Sequence, residues 1–208
     1  MKDKILILVG GREQYHDLLF AAQTLQKILI ERGIATEYSQ DFTVLQDERI
    51  EEYAGCVFYT QDKLLTHKQQ DKLEEYIKNG HGFIPLHSAN VINDEQNQKY
   101  IQLIGSKFTH HDPFHRFKVE LNGEHFITEN IDDFEIDDEL YVTKMLKEPD
   151  QILARAHEQG EKHPILYTRN LDQGKISYLA LGHDGRAWNH PSFQKLLYRT
   201  VIYTTQSL

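Results

Sequence analysis

The sequence predicts an α/β fold: a central parallel β-sheet with helices on both faces, and antiparallel β segments added in the second half. Three observations lead there. Over the first 90 residues, short apolar runs alternate with segments of helical periodicity, the rhythm of parallel strands joined by right-handed crossovers. The first run is continuously apolar, as a strand covered on both faces should be. In the second half, several β-like pieces surround a hairpin-like turn at Asp172-Gln173-Gly174.

Each element has its own signal. Ile5-Leu6-Ile7-Leu8-Val9 followed by Gly10-Gly11 reads as a buried strand ending in a tight turn. A helix is expected over about residues 17–32, with Leu18, Leu19, Ala22, Leu25, Ile28 and Leu29 on one face and Gly33 as its stop. Residues 34–38 form a second strand. Cys56-Val57-Phe58-Tyr59 is a third, leading into Gln61 and Asp62. Thr66 then opens a helix with Gln69 three residues on, a capping box. Leu73, Tyr76 and Ile77 face the core, and Gly80 closes that helix. Residues 82–86 make a fourth strand that runs directly into His87-Ser88-Ala89. A short helix over 98–104 precedes a polar, histidine-rich loop over 106–116. The β-like pieces are residues 117–121, 141–145, 152–156, 165–168 and 176–181. Pro191 starts a last amphipathic helix carrying Phe193, Leu196, Leu197, Val201 and Ile202. Phe134, Ile136 and Leu140 interrupt the acidic run over 132–139, so that segment is expected to be ordered.

Composition narrows the function classes. A chain of 208 residues, 39% of them apolar, suits a single domain over residues 1–208 with a full core. No apolar run approaches the ~20 residues that cross a bilayer, and the start lacks the layout of a secretory signal. The one cysteine, Cys56, rules out an internal disulfide framework, and a cytoplasmic location is expected. With 32 acidic against 23 basic residues and a net charge of −9, the chain has no basic surface for nucleic acid. Gly10-Gly11 lacks both a Gly-x-Gly-x-x-Gly pattern and a Walker lysine, so no nucleotide is expected.

In an open parallel sheet, ligands bind beyond the C-terminal strand ends. Gly11 and His16 follow the first strand, and Gln61 and Asp62 follow the third. His87 and Ser88 follow the fourth; Gly182, His183, Asp184 and Arg186 follow the last. Three separate strand ends thus send a histidine, His16, His87 or His183, to one crevice.

Three segments carry a family resemblance. They are Gly82-Phe83-Ile84-Pro85-Leu86-His87-Ser88-Ala89, the acidic Asp133-Phe134-Glu135-Ile136-Asp137-Asp138-Glu139-Leu140-Tyr141, and Leu181-Gly182-His183-Asp184-Gly185-Arg186-Ala187-Trp188-Asn189-His190-Pro191. In order and separation they resemble the motifs of the ThuA-like (trehalose-utilisation) family, over nearly the whole chain. One departure is His125-Phe126-Ile127-Thr128, where the family usually reads His-Pro-Ile-Thr. The resemblance implies a flavodoxin-like sheet similar to class I glutamine amidotransferases. It also implies a role in catabolism of trehalose or other carbohydrates, often beside sugar oxidoreductases. In the amidotransferases the sharp turn after the equivalent strand carries a cysteine nucleophile; here His87 stands at that turn. Cys56 lies inside a buried strand, so cysteine-dependent glutamine hydrolysis is not expected.

The chemistry expected is therefore that of a sugar hydrolase or isomerase acting on a disaccharide or keto-sugar derivative, with His87, His183 and Glu139 as catalytic groups. His87 suits a general base or metal ligand, or it holds the turn through a backbone hydrogen bond. Asp184 could orient His183, although neighbouring residues on a strand point to opposite faces. Asp138 and Glu139 offer a general acid, with Glu139 preferred. Substrate contacts are expected from Gly11, His16, Asp62, Ser88, Tyr141, Asp184, Arg186 and Trp188; Tyr141 and Trp188 would stack on a sugar ring or pack in the core. Arg186 would bind the ligand or pair with Asp184. No motif demands a cofactor. A divalent metal such as zinc would be held by the spaced set His16, His87 and His183, or by His110, His111 and His115; no His-Glu-x-x-His motif is present. The alternative function is a non-catalytic sugar-binding or regulatory protein. The expected partner is a small carbohydrate, with no nucleic acid and no membrane, and self-association is left open.

Overall fold

The computed structural model describes residues 4–205. The chain runs through β1 (Lys4–Gly11), α1 (Leu18–Ile30), β2 (Ala35–Ser39), β3 (Gly55–Gln61), α2 (His67–Lys78), β4 (Gly82–Leu86) and α3 (Gln98–Ile104). There follow β5 (Ser106–His111), β6 (His115–Leu121), β7 (Phe134–Asp138), β8 (Tyr141–Met145), β9 (Gln151–Glu158), β10 (Glu161–Leu171) and β11 (Gly174–Leu179). The last elements are α4 (Gly185–Trp188) and α5 (Pro191–Thr205).

Nine strands form one sheet in the order β2-β1-β3-β4-β11-β10-β9-β6-β7. The first five of that order are parallel neighbours, and the rest pair antiparallel. The fold is thus α/β with a parallel core, consistent with a flavodoxin-like sheet extended by antiparallel strands. The chain order reverses at β1, with β2 on one side and β3 on the other, which opens a crevice beyond the C-terminal ends of β1 and β3. The fifth parallel strand, β11, comes from the far end of the chain, so the loop after it joins the same edge as the loops after β1, β3 and β4.

β3 and β4 are buried throughout their length, as strands covered on both faces must be. α1 and α5 touch each other on the sheet, and α2 and α3 touch each other elsewhere on it. Asp17 caps α1 by accepting the Phe20 N–H at 2.9 Å. The Thr66–Gln69 capping box on α2 is complete. Gly82 has no side chain because α5 lies on it: a Cβ there would sit 2.7 Å from the Thr204 carbonyl oxygen.

Residues 106–116 are not the polar loop that their composition predicts. Ser106–His111 is β5, paired antiparallel with β8 in a separate two-stranded ribbon, and β6 already begins at His115. After Ser106, β5 is largely exposed, so it carries no apolar alternation. Among the described residues, no helix is long and apolar enough to cross a membrane.

Candidate functional site

His87 sits where β4 breaks into a tight turn. Its φ of +45° is left-handed, a conformation that costs a residue with a side chain on the order of 1 kcal/mol or more. The Nδ1–H of His87 donates to the Ala180 carbonyl at 2.7 Å, at the end of β11. His16 arrives from the loop between β1 and α1. Its Nδ1–H donates to Gln61 Oε1 at 2.5 Å, at the end of β3. In both rings an acceptor holds the proton on Nδ1, which leaves the Nε2 lone pair directed elsewhere. Both Nε2 atoms are buried and have no hydrogen-bond partner.

These two rings meet His183, from the loop after β11, and Glu139, from the turn between β7 and β8. Ring centroids lie 4.9 Å apart for His16 and His87, 4.9 Å for His16 and His183, and 5.6 Å for His87 and His183. Glu139 Oε2 is 3.0 Å from His183 Nδ1 and 3.7 Å from His87 Nε2. One donor atom from each of the four residues lies within 4.8 Å of every other. Tyr141 covers the group, its ring stacked on His87 at 4.2 Å. A cleft of about 440 Å³ lies against His16, lined by residues 13–19.

The charges follow from burial and proximity. Burial, and then the neighbouring His87, push His16 down to about 3, so its ring is neutral at ordinary pH. Burial opposes charge on Glu139, but the imidazoles of His183 and His87 outweigh it and hold the carboxyl well below its usual range. Burial likewise opposes charge on His183, and the Glu139 carboxylate outweighs it, raising His183. The centre thus combines a neutral His16 ring with an ionised Glu139 paired to His183. Three nitrogens and one carboxylate oxygen set are converging, partly unpartnered donors of the kind that bind a borderline divalent cation such as zinc.

A family model described as "ThuA: Trehalose utilisation" matches residues 4–204. The chain belongs to the ThuA family. Among solved structures, a ThuA-like protein from Parabacteroides merdae is 16% identical with a TM-score of 0.85, covering 98% of this chain and 90% of that one. A second, from Bacteroides uniformis, is 19% identical with a TM-score of 0.82, covering 98% and 91%. A β-galactosidase from Bacillus circulans sp. alkalophilus is 13% identical with a TM-score of 0.71; the match covers 99% of this chain but 31% of that one. At these identities the likeness shows the fold alone. No curated protein sequence matches the chain.

Within this ThuA fold the remaining expected site residues divide. Glu139, His16, His87, His183 and Tyr141 come together, including His16, which lies several residues beyond its strand. Trp188 does not join them as an open surface. It is 1% exposed and packs edge-on against Tyr59 and Phe193, so its faces are closed to a sugar. Ser88 is fully buried. Asp184 caps α4 and pairs with Arg186, and it makes no hydrogen bond to His183. Arg186 reaches the surface, where its guanidinium lies 3.4 Å over the Phe114 ring, itself 5.9 Å from His183. The Asp62 carboxylate is engaged by Asn93 and Arg12. Gly11 answers a backbone demand: at φ +105° a Cβ would sit 2.0 Å from the Gln61 carbonyl oxygen. Cys56 is fully buried and burial pushes its thiol far up, so it is no nucleophile.

His111 enters the site from β5. Its Nε2 is 3.7 Å from Glu139 Oε1, and its ring stacks on Tyr141 at 5.6 Å. His110 and His115 do not join it there: His115 faces Glu158 instead. Only the strand character of β5 separates His111 from its neighbours, and a histidine-rich polar stretch hides that character. Gln61 acquires a role as well, by fixing the tautomer of His16.

Proposed function

We propose that this ThuA-family chain is a carbohydrate-processing enzyme, a hydrolase or isomerase of a disaccharide or keto-sugar, built on a divalent metal held by His16, His87 and His183. The observation that carries this reading is the pair of buried, unpartnered Nε2 atoms on His16 and His87. Each of these rings donates its other nitrogen to an oxygen, the arrangement that fixes a metal-binding imidazole. Two buried nitrogen lone pairs without a protein partner are costly unless a cation or a proton donor meets them.

Bound there, an ion would supply Lewis-acid polarisation of a sugar oxygen. Glu139 is ionised and stands against the same point, so it takes a proton from a substrate hydroxyl or from carbon beside a carbonyl. Glu139 would then return that proton to the leaving oxygen in a hydrolysis or to the neighbouring carbon in an isomerisation, with His183 holding the carboxylate in place. His111 would meet substrate at the outer side of Glu139, with the buried Tyr141 ring packed between His111 and His87. The Phe114–Arg186 pair and the exposed ring of Tyr15 offer flat surfaces for sugar rings at the mouth. The family description supplies the carbohydrate class, and the buried, unreactive thiol agrees with a reducing, cytoplasmic setting.

The test is metal content together with a thermal-shift panel of sugars that includes trehalose, followed by turnover of each hit. The proposal expects one divalent ion per chain and turnover of a bound sugar. Tight sugar binding without turnover, with or without the ion, would make the chain a binding protein. Absence of any saturable ion would remove the metal from the reading.

A further inference from the structure

We infer that Asp138 is a positioning residue that aims both Glu139 and His183 into the centre. The inference rests on the metal-centre reading above. Asp138 ends β7 and is completely buried. Its Oδ2 accepts the Gly182 N–H at 2.7 Å, and its Oδ1 accepts the N–H groups of Glu139 at 2.8 Å and His183 at 3.1 Å. All three partners are donors, and two of them belong to residues of the centre itself.

No strand pairing makes this link. In strand order β11 and β7 are separated by β10, β9 and β6, so no ladder links the segments that carry His183 and Glu139. The Asp138 carboxylate spans that gap from one backbone to the other. Burying an anion is costly, and burial does work against charge on this carboxyl. Three backbone donors work against that cost, with both side-chain oxygens used. A solvated role, such as proton donation to substrate, is therefore closed to Asp138. An asparagine of the same shape would turn an NH₂ group toward backbone N–H groups and break the arrangement. Partners that orient metal ligands typically cost 10–100-fold in metal affinity when removed.

The experiment compares wild type with Asp138→Asn. Zinc affinity is measured by competition with a chromophoric chelator, cobalt(II) geometry by visible absorption, and amide hydrogen exchange on both metal-free proteins. The expected result for a folded variant is about 10–100-fold weaker zinc binding and an altered cobalt spectrum. Exchange should be faster at Gly182 and His183, with α5 amides unchanged. A folded variant with wild-type zinc affinity and cobalt spectrum would overturn the inference. If wild type binds neither ion, the metal reading fails by itself, and unchanged exchange at Gly182 and His183 in the variant would still overturn the positioning role. Should Asp138→Asn not fold, the wild-type protein decides: Gly182 and His183 amides must be as protected as those of β4, and rapid exchange there would contradict the clamp.

Discussion

At the scale of single residues, the site depends on protonation states that burial and neighbours impose. His16 is faced by His87, His183, Glu139, Gln61 and the Tyr59 ring. Its folded pKa is about 3, against 6.5 for the free side chain. Between these values the unfolded chain binds a proton that the folded chain refuses. The His16 contribution to stability is therefore present above pH 6.5 and lost as pH falls toward 3, by up to about 1.4 kcal/mol per pH unit. His183 has the opposite sign: its raised pKa gives stability that is present below pH 6.5 and lost as pH rises through the raised value. Urea unfolding of the metal-free protein between pH 4 and 6.5 should show a steeper loss of stability than His16→Gln, by up to one proton; equal slopes would refute the buried neutral ring. Cys56 supplies a second prediction. Cys56→Ser should leave turnover nearly intact and cost about 1–3 kcal/mol for a hydroxyl in an apolar strand. Loss of turnover in a folded Cys56→Ser protein would restore a thiol mechanism.

At the scale of elements, what the sequence reveals depends on whether the signal is local. β1, α1, α2 and β4 carry their own evidence: a continuous apolar run, a helical stripe, a capping box and a strand that runs into a turn. β5 carries none, because an exposed ribbon needs no apolar alternation. The burial of Asp138 is equally hidden, since an aspartate in an acidic run looks solvated until the loop after β11 folds over it. For Trp188 the sequence leaves a sugar platform and core packing both open, and the structure packs it in the core against Tyr59 and Phe193. Close packing of α5 on the strand starts gives an element-scale prediction. Gly82→Ala would push a methyl group against the Thr204 carbonyl and destabilise the protein by about 1–3 kcal/mol, measured by denaturant unfolding. Metal affinity of the folded variant should be unchanged, because the substitution lies at the opposite end of β4 from His87. An unaltered unfolding midpoint would show that α5 is not held there.

At the scale of the whole molecule, the centre is a product of topology. His16, His87 and His183 are distant in sequence and meet because β1, β4 and β11 are parallel strands sharing one C-terminal edge. That convergence is legible from strand ends alone. Its fourth member, Glu139, requires the antiparallel half of the sheet to fold back over the edge, and no local pattern specifies that return. A metal in this position would link the two halves, so a hundredfold excess of zinc over its dissociation constant should stabilise the fold by about 2.7 kcal/mol. Calorimetric melts with and without zinc check this, and identical melts would contradict it. The most direct test of the central claim is anomalous diffraction at the zinc edge from crystals grown with zinc. The account predicts one strong peak among His16, His87, His183 and Glu139, about 2.0–2.1 Å from the imidazole nitrogens. A vacant centre, or zinc found only at other histidines, would contradict it.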